Sequence, residues 1–528
     1  MSQKSPVLAI YDFSGKQNYI FKTTRIKEIL GADAILGNAF IEFMRGLLSD
    51  KMNFKTDPKL TELLNSQCDS LQGKLSEFVT ESFRDRAKTY DDYFEIADIG
   101  GGNLFLLFGS EDSCLKANRF FGKQVLEKAY DLQLVCAFVP ANLDASFSKD
   151  RKNAIEKSNQ IRRELTMQAP VNVLPFTLID RRTSQPIITR EFISGERRDL
   201  SWDSKGKYDQ YRKLLNSKEI SDVTDKILDK IVTKKGVDSL LAVIHIDGNG
   251  MGDKLKELSS KISGDAYKKA INEYRAFSRD IRVAFVDKPK EEILKYLEEK
   301  KKEKKGKKIA RWLINAGDDF TIICNAHFAL DLTLEYFECL KSFNKKNSER
   351  NFSCCAGIAV FHSHDPFGSA YEMAEECCSS AKKLNRKYGN DNFIFDFHTS
   401  YGSSANDFDT VRKHQEKHIT LRPYVYSHPN NSSEILQHSY YSTFDKVKQS
   451  LLTAGVVRSD VKGLASKIFQ GRSYFDIEIE RLSSKYENLG ISVSDLKAVY
   501  DVATVYDIWV DESEKVGELA DEQNNNNT

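Results

Sequence analysis

The stretch "RWLINAGDDFTIIC", residues 311–324, decides the fold class of this chain. Two apolar runs flank a tight segment from Asn315 to Asp319, so the stretch predicts two short strands joined by a hairpin turn. The adjacent carboxylates of Asp318 and Asp319 repel each other unless a positive partner lies against them. The hairpin turn is therefore predicted to bind a positively charged group or ion.

The composition of the whole chain bounds the class of protein. With 528 residues, three or four domains are expected. Lys+Arg 78 against Asp+Glu 77 gives a net charge of +1, which neither indicates nor excludes a nucleic-acid binder, because a basic groove can lie within a balanced total. Nine cysteines without a CxxC motif, no bilayer-length apolar run and no secretory signal predict a soluble cytoplasmic protein with free thiols.

Residues 239–400 alternate strand and helix signals. The run "SLLAVIHID" (239–247) is almost continuously apolar and ends at Asp247, as expected of a buried central strand. A glycine-rich turn and a helix follow; after the hairpin come a helix, the strand "SCCAGIAVF" (353–361), another helix and the strand "NFIFDF". This β-α-β-β-α-β order, with a further helix and strand, predicts the α+β, ferredoxin-like fold of polymerase palms and nucleotide cyclases.

The N-terminal region repeats this order of elements. "VLAIYDFSGKQNYIF" predicts a strand, a turn and a helix, with Asp12 at the strand end like Asp247. "YFEIADIGGGNLFLLF" (93–108) predicts a hairpin in which the turn from Gly100 to Asn103 corresponds to the turn from Ala316 to Asp319. Chance similarity is the alternative, but we interpret the repeat as a duplicated palm whose first copy lacks the turn carboxylates.

The remaining segments complete the predicted domain organisation. The lysine-rich run at 298–308 is interpreted as a solvated helix end and loop, with an RNA or phosphate contact as the less favoured alternative. The predicted domains are a first, degenerate palm at 1–140, a charged helical connector at 141–238, a second, catalytic palm at 239–400, a helical C-terminal domain at 401–518 and a disordered tail at 519–528.

The end of the first strand and the hairpin turn predict a metal site. In a β-α-β-β unit these two points are neighbours, so Asp247 is expected beside Asp318 and Asp319. Three converging carboxylates form a site for one or two Mg²⁺ or Mn²⁺ ions, which are hard cations that prefer oxygen ligands. Such ions are the positive partner that the hairpin requires, and they can activate a ribose hydroxyl and neutralise a triphosphate.

Two further features of the sequence predict phosphate binding, whereas the histidines predict no site of their own. The glycines of "DGNGMG" let backbone amides near a helix N-terminus approach phosphate oxygens. Lys382 and Lys383, on the helix after the strand at 353–361, could supply a cation. The histidines indicate no additional site, because a His-Asp nuclease needs several of them and the first in this chain is His245.

These motifs resemble those of the large, polymerase-like subunit of type III CRISPR effector complexes, closest to its Cmr-type branch. The resemblance covers about residues 5–430 and rests on "YDFSGKQNYIF", "IGGGNLFLLF", "IDGNGMG", "NAGDDF", "HDPFGSAYEMAEECCSSAKK" and "LRPY" (421–424). It implies that the second palm joins ATP molecules into cyclic oligoadenylates when the complex binds target RNA. It also implies that the first palm holds a second ATP without catalytic metals, and that the partners are guide-RNA effector subunits.

The resemblance also implies roles for individual residues. Asp247, Asp318 and Asp319 would bind the metals and form the catalytic centre, Lys382 would contact the triphosphate, and Ser14 would line the partner nucleotide pocket. The full set of nucleotide-binding residues implied is Gly248, Asn249, Gly250, Gly317, Lys382, Lys383, Ser14, Gly15, Gly100, Gly101, Gly102 and Asn103.

Four departures from the family pattern qualify these implications. No N-terminal His-Asp nuclease domain is found, so DNA cleavage by this chain is not expected, and "DRRTSQP" lacks the cysteines of the usual zinc element. Ala316 replaces the first glycine of the common GGDD turn, where a small residue should still fit. Asn249 stands where the Cmr-type motif often has a second Asp, which removes a possible charge from the metal site.

Two alternatives to the oligoadenylate synthase stay open at this point. One is a free-standing palm-domain cyclase or conjugating enzyme that responds to another trigger in a different defence system. The other is a non-catalytic scaffold that binds nucleotides or assembles RNA-binding subunits. The intact Asp247, Asp318 and Asp319 argue against the scaffold, and the duplicated palm argues against a diguanylate cyclase that pairs two identical chains.

Overall fold

The fold was determined as a computed structural model of the 528-residue chain. The predicted tail at 519–528 and residues 304–309 of the lysine-rich run lie outside the residues that it describes. The described residues are 5–23, 25–66, 83–165, 176–193, 196–216, 231, 239–303, 310–389, 391–399, 412, 419–427 and 440–510.

The N-terminal part forms a four-stranded antiparallel sheet with helices. The strand β1 is buried along almost its whole length, as its apolar sequence requires. The sheet has the order β2-β3-β1-β4, so β1 is central and the hairpin β2–β3 lies beside it. The elements are β1 (Val7–Ser14), α1 (Lys16–Phe21), α2 (Ile26–Leu47), α3 (Pro58–Asn65), α4 (Phe83–Thr89), β2 (Phe94–Gly100), β3 (Asn103–Phe108), α5 (Glu111–Lys128) and β4 (Gln133–Pro140).

The next part combines two helices with a small sheet. The helix α6 packs against β4 and β1, and α7 packs against α2. Part of the predicted helical connector forms strands instead, in a three-stranded antiparallel sheet with the order β5-β6-β7. The elements are α6 (Phe147–Glu164), β5 (Ile179–Asp180), β6 (Gln185–Ile193), β7 (Glu196–Ser201) and α7 (Trp202–Asn216).

The second large sheet has six strands in the order β13-β12-β11-β8-β10-β9. Only β11 and β12 pair in parallel among the pairs for which a register is given, and β8 is buried between β10 and β11. The elements are β8 (Leu240–Gly248), α8 (Met251–Lys261), α9 (Tyr267–Arg282), a π-helical turn (Val283–Asp287), α10 (Lys288–Glu303), β9 (Ala310–Ala316), β10 (Asp319–Asn325), a 3-10 turn (Ala326–Phe328), α11 (Ala329–Lys346), β11 (Cys354–His362), α12 (Phe367–Lys387), β12 (Phe393–Thr399) and β13 (Tyr424–Ser427).

The two large sheets share one topology. The order β9-β10-β8-β11 of the second sheet repeats the order β2-β3-β1-β4 of the first, and β12 and β13 extend the second sheet at one edge. In each sheet the first strand is central and is followed by a left-handed glycine, Gly15 with φ 69° and Gly250 with φ 62°, at the start of a helix. The predicted α+β class with two ferredoxin-like domains is therefore confirmed.

The C-terminal part is helical. The helices α13 (Tyr441–Thr453) and α14 (Arg458–Gln470) pack against α16 (Leu496–Thr504), which is buried along most of its length. The elements are α13 (Tyr441–Thr453), α14 (Arg458–Gln470), α15 (Arg472–Lys485), a 3-10 turn (Val493–Asp495), α16 (Leu496–Thr504) and a π-helical turn (Tyr506–Val510).

The chain divides into two compact units that are discontinuous in sequence. One contains the first sheet and the three-stranded sheet together with Gly250–Asp287 and Leu313–Asp318. The other contains most of the second sheet and the C-terminal helices. Within the described part of the chain, no helix is both long enough and apolar enough to cross a lipid bilayer.

Candidate functional site

Two of the predicted carboxylates face each other across neighbouring strands. In the antiparallel pair β8–β10, Asp247 lies directly opposite Asp319. Residues in such positions have Cβ atoms about 4.5–5.5 Å apart, so both side chains can contact one small ligand. The hairpin makes this possible because Gly317 adopts φ 67°, a left-handed conformation that favours glycine. The element order predicted from the sequence therefore places these two groups together.

His245 completes the group, although the sequence motifs do not predict it. It lies two residues before Asp247 on β8, and alternate residues of a strand share one face. The ring is 4% exposed, its Nδ1 lies 3.1 Å from the Thr321 hydroxyl, and it packs edge-on against Tyr371. Burial lowers the pKa of His245 to about 4, so the ring is neutral near pH 7 and one nitrogen can act as a ligand.

The geometry of this group fits a metal ion. Among the residues that the structure describes, ligand atoms of His245, Asp247 and Asp319 all lie within 4.8 Å of one another. Two carboxylates and a neutral imidazole are a donor set that divalent cations accept. Asp318 occupies the turn, next to Asp319 in the chain, and it is not among these three ligand residues. The strand period of two, applied to "HID", was the signal that could have indicated His245.

Lys382 is an ion-pair partner of Asp247. The lysine lies on α12, its ammonium contacts the carboxylate of Asp247, and it also donates to the carbonyl oxygen of Gly248 at 3.3 Å. The helix reaches this position because it packs tightly on β11 at Gly357, where a Cβ would lie 1.9 Å from the Ala374 carbonyl oxygen. Burial opposes the charge on Lys382, but Asp247 outweighs it and the pKa of Lys382 is raised.

Lys383 has a different environment from Lys382. It is exposed on α12, as the next residue along a helix points about 100° away from its neighbour. The structure thus brings one of the two predicted lysines to the carboxylates.

Asn249 holds the turn after β8 in place. It is buried, its side-chain nitrogen donates to the Ser353 hydroxyl and to the Asn392 carbonyl oxygen, both at 3.0 Å, and its backbone N–H donates to the Ser353 carbonyl at 2.9 Å. A carboxylate cannot donate to the Asn392 carbonyl. The amide at this position, which departs from the family pattern, therefore has a structural reason in this chain.

The first sheet has a corresponding group that carries its own cations. Asp12, at the end of β1, pairs with Lys16 at 2.9 Å and with Arg162 on α6. The amide of Asn103, with its nitrogen turned toward Asp12, donates to both carboxylate oxygens at 2.9 and 3.3 Å. Lys16 also donates to the Gly102 carbonyl at 3.1 Å, which connects it to the glycine turn.

The turn of the first hairpin has the geometry that its glycines predict. Gly100 pairs with Asn103, and Gly101 and Gly102 between them have φ 57° and 75°. The predicted pocket residues Ser14 and Gly15 follow Asp12 at the end of β1. Asn103 in this sheet thus corresponds to Asp319 in the second, as the sequence alignment of the two turns predicts.

Comparison with known proteins identifies the second sheet. Residues 240–390 match the family model of the Cas10/Cmr2 second palm domain. No curated protein matches the sequence.

Solved structures are similar to this chain over most of its length. The Csm1–Csm4 cassette in complex with AMPPNP is 12% identical, with 96% of this chain and 69% of the other covered and a TM-score of 0.50. The Csm1–Csm4 cassette in complex with pppApA is 10% identical, with 95% and 70% covered and a TM-score of 0.49. The Csm1–Csm4 subcomplex of the type III-A CRISPR-Csm interference complex is 11% identical, with 95% and 70% covered and a TM-score of 0.47.

The sheet topology and the facing carboxylates define a palm-domain protein of the class that includes polymerases and nucleotide cyclases. Within that class, residues 240–390 match the second palm domain of Cas10/Cmr2, as the sequence motifs predict.

Proposed function

We propose that this chain is a metal-dependent nucleotidyltransferase that joins ATP into cyclic oligoadenylates as the large subunit of a type III CRISPR effector complex. The observation that carries the proposal is the pairing of Asp247 with Asp319 across β8 and β10, inside a Cas10/Cmr2 second palm. A structure of the same fold was solved with AMPPNP, an analogue of ATP, which supports ATP as the substrate.

In the second palm, some residues would bind the metal ions and others would bind the triphosphate. Asp247, Asp319 and His245 would hold Mg²⁺ or Mn²⁺, with Asp318 available from the turn. When bound, such ions neutralise the triphosphate and lower the pKa of the attacking ribose hydroxyl. Lys382 would place a positive charge against the triphosphate, and the backbone of Gly248 to Gly250 would approach its oxygens.

The first palm would hold the partner nucleotide without a catalytic metal. Lys16 and Arg162 already neutralise Asp12, and Asn103 provides an amide where the second palm has Asp319. The turn formed by Gly101 and Gly102 leaves backbone groups accessible to a ligand because it has no side chains.

The assembly is proposed from the same fold. The similar solved structures contain Csm1 together with Csm4, so we expect this chain to associate with effector subunits that carry the guide RNA. Binding of target RNA by that assembly would be the trigger for synthesis.

Product analysis tests the proposed activity. Purified protein, with and without its native subunits and target RNA, is incubated with labelled ATP and Mg²⁺ or Mn²⁺, and the products are resolved by mass spectrometry. The variant Asp318→Ala/Asp319→Ala should reduce product formation at least about a hundredfold, because several kcal/mol of charge stabilisation depends on the metal site. The products themselves identify ring size and linkage.

A charge-matched control separates the site from general electrostatics. Asp253→Ala/Glu257→Ala removes two exposed carboxylates from α8 and should leave product formation at the wild-type level. Oligoadenylate made by the isolated chain without subunits or RNA would favour the free-standing enzyme. If wild type and the Asp318→Ala/Asp319→Ala variant form the same small amount of product with all partners present, the chain is a non-catalytic scaffold.

A further inference from the structure

In both palms, a cationic side chain from the corresponding helix pairs with the aspartate at the end of the first strand. In each palm, the aspartate lies at the end of the first strand, β1 or β8. The cation lies on α6 or α12, the helix that follows β4 or β11, which is the neighbour of the first strand on the side away from the hairpin. Arg162 on α6 pairs with Asp12, and Lys382 on α12 pairs with Asp247. The repeated arrangement allows the first palm to serve as an internal comparison for the second.

The surroundings of these two ion pairs differ in charge. Four residues after Asp12 stands Lys16, which pairs with it, whereas four residues after Asp247 stands Met251. The residue opposite on the hairpin is the neutral Asn103 in the first palm and the acidic Asp319 in the second. Taken together, the four corresponding groups sum to one positive charge in the first palm and to one negative charge in the second.

We infer that Lys382 is an exchangeable counter-ion of the metal site: it neutralises Asp247 when no metal is bound, is displaced by the divalent cation, and then serves the triphosphate. The inference rests on the proposed function and adds to it a coupling between metal and nucleotide. Because its ammonium and an incoming cation use the same carboxylate, metal binding in the absence of nucleotide must break the Lys382–Asp247 pair.

The structure favours exchange in the second palm only. The side chains of Lys382 and Asp247 are 20% and 30% exposed, so solvent and ions can reach the pair. Lys382 has a long flexible stem with three donors, which lets its ammonium move to a new acceptor a few ångströms away. The side chain of Asp12 is only 11% exposed and has three side-chain partners as well as the Phe13 N–H, so no single movement frees it.

Exchange predicts that metal and triphosphate strengthen each other's binding. The metal alone pays for a broken ion pair, and the triphosphate alone competes with Asp247 for Lys382. When both bind, Asp247 ligates the metal and Lys382 contacts the phosphates, so each ligand removes a cost of the other. Reciprocal coupling of this kind typically changes affinity by about 5- to 150-fold.

Titration calorimetry with Mn²⁺ alone tests the exchange. Lys382→Met keeps the length of the stem and removes the charge. We expect Lys382→Met to bind Mn²⁺ about five- to tenfold more tightly than wild type without nucleotide, a change at the lower end of typical coupling. We also expect ATP to bind the Mn²⁺-loaded variant about tenfold more weakly, so that the coupling between the two ligands falls.

The matched control is Lys387→Met. Lys387 lies on the same helix, where its ammonium is 5.1 Å from the centre of the Tyr388 ring, so the change removes the same charge away from the carboxylates. It should bind Mn²⁺ and ATP like wild type. Thermal unfolding of each variant verifies that the fold is intact.

The outcomes separate this inference from the proposed function. Mn²⁺ binding by wild type that is abolished by Asp319→Asn supports the metal site. If that holds and Lys382→Met binds Mn²⁺ no more tightly than Lys387→Met, the exchange is wrong while the proposed function stands. If folded wild type binds no Mn²⁺ at millimolar concentration, the metal site and the exchange are both overturned.

Discussion

At the scale of single residues, the ligand set of the second palm bears on which ion it selects. Carboxylates suit Mg²⁺ and Mn²⁺ equally well, whereas imidazole favours transition metals over Mg²⁺. His245 adds such a nitrogen to Asp247 and Asp319. We therefore expect Mn²⁺ to bind more tightly than Mg²⁺ and to support synthesis at lower concentration.

The substitution His245→Phe tests this preference. Phenylalanine retains a ring against Tyr371 but has no nitrogen. The affinity for Mn²⁺ should fall at least about tenfold, the scale on which even supporting residues of metal sites act, while the affinity for Mg²⁺ changes less. The measurement is the ratio of the two dissociation constants, obtained by calorimetry, with the ratio of activities as a second readout.

An exposed histidine provides the control for His245. His362 lies at the other end of the neighbouring strand β11, and His362→Ala should leave the Mn²⁺/Mg²⁺ ratio unchanged. A ratio that is the same in His245→Phe and wild type would show that the imidazole is a packing residue and not a ligand.

At the scale of elements, α9 covers the edge strand β2 of the first sheet. Arg275 on α9 donates from Nε to the Ala97 carbonyl at 2.9 Å and from its terminal nitrogen to the Ile96 carbonyl. These carbonyls lie at a bulge of β2, where the ladder with β3 shifts its register. An edge strand that is covered in this way is protected from pairing with other chains.

The same strand carries a buried acid whose ionisation should affect stability. Glu95 is 1% exposed and accepts a hydrogen bond from the Tyr93 hydroxyl. Burial raises the pKa of Glu95 from 4.5 to about 7, so between these values the folded chain holds a proton that the unfolded chain has lost. The contribution of protonated Glu95 to the free energy of unfolding is therefore fully present below pH 4.5 and is lost as the pH rises toward 7.

The substitution Glu95→Gln should remove this dependence, since an amide is neutral throughout. Relative to wild type, the variant should gain free energy of unfolding as the pH rises from about 4.5 to 7, by up to about 3 kcal/mol. Urea unfolding at several pH values measures the difference. Glu156→Gln, an exposed acid on α6, should show no such trend, and parallel curves for wild type and Glu95→Gln would contradict the prediction.

At the scale of the whole molecule, one buried carboxylate joins the end of the second palm to the C-terminal helices. Asp501 on α16 is fully buried and accepts hydrogen bonds from the Thr420 hydroxyl, the Leu421 N–H, the Arg422 Nε and the Tyr424 hydroxyl at 2.6–2.9 Å. The motif "LRPY" at 421–424 thus has a structural role in this chain, which is to bind Asp501.

Loss of this carboxylate should destabilise the unit that contains it. Asp501→Ala leaves the buried guanidinium of Arg422 without its counter-charge, and we expect a loss of about 3–5 kcal/mol in the free energy of unfolding. Denaturant unfolding measures it. Asp507 lies close to Asp501 in the sequence, and Asp507→Ala, which breaks surface ion pairs with Arg458 and Lys462, should cost less than about 1 kcal/mol.

A second substitution distinguishes an ion pair from simple packing. If the penalty comes from the unpaired charge, Asp501→Ala combined with Arg422→Met should be more stable than Asp501→Ala alone. A double variant that is as unstable as the sum of the single changes would show that the two side chains act independently.

Much of the fold could be predicted because its signals are local. Apolar runs of strand length, glycines that permit left-handed turns and the order of the elements all lie within short windows of sequence. They indicated both hairpins, the duplicated palm and the facing pair Asp247 and Asp319, since strand order alone brings a first-strand end beside a hairpin turn. The predicted domain boundaries remain predictions, and the compact units that the structure shows are discontinuous in sequence.

Local patterns in the sequence were enough to predict the two palms and the carboxylates at the strand ends. The packing of helices on the sheets was needed to show that His245 joins them, that Lys382 rather than Lys383 pairs with Asp247, and that Arg162 reaches Asp12 across 150 residues. The physical reason is that periodicity fixes which face of an element a residue occupies, whereas the partner on that face depends on how helices pack on a sheet. That packing is set by distant contacts, such as the approach of α12 to β11 at Gly357, which leave no local pattern.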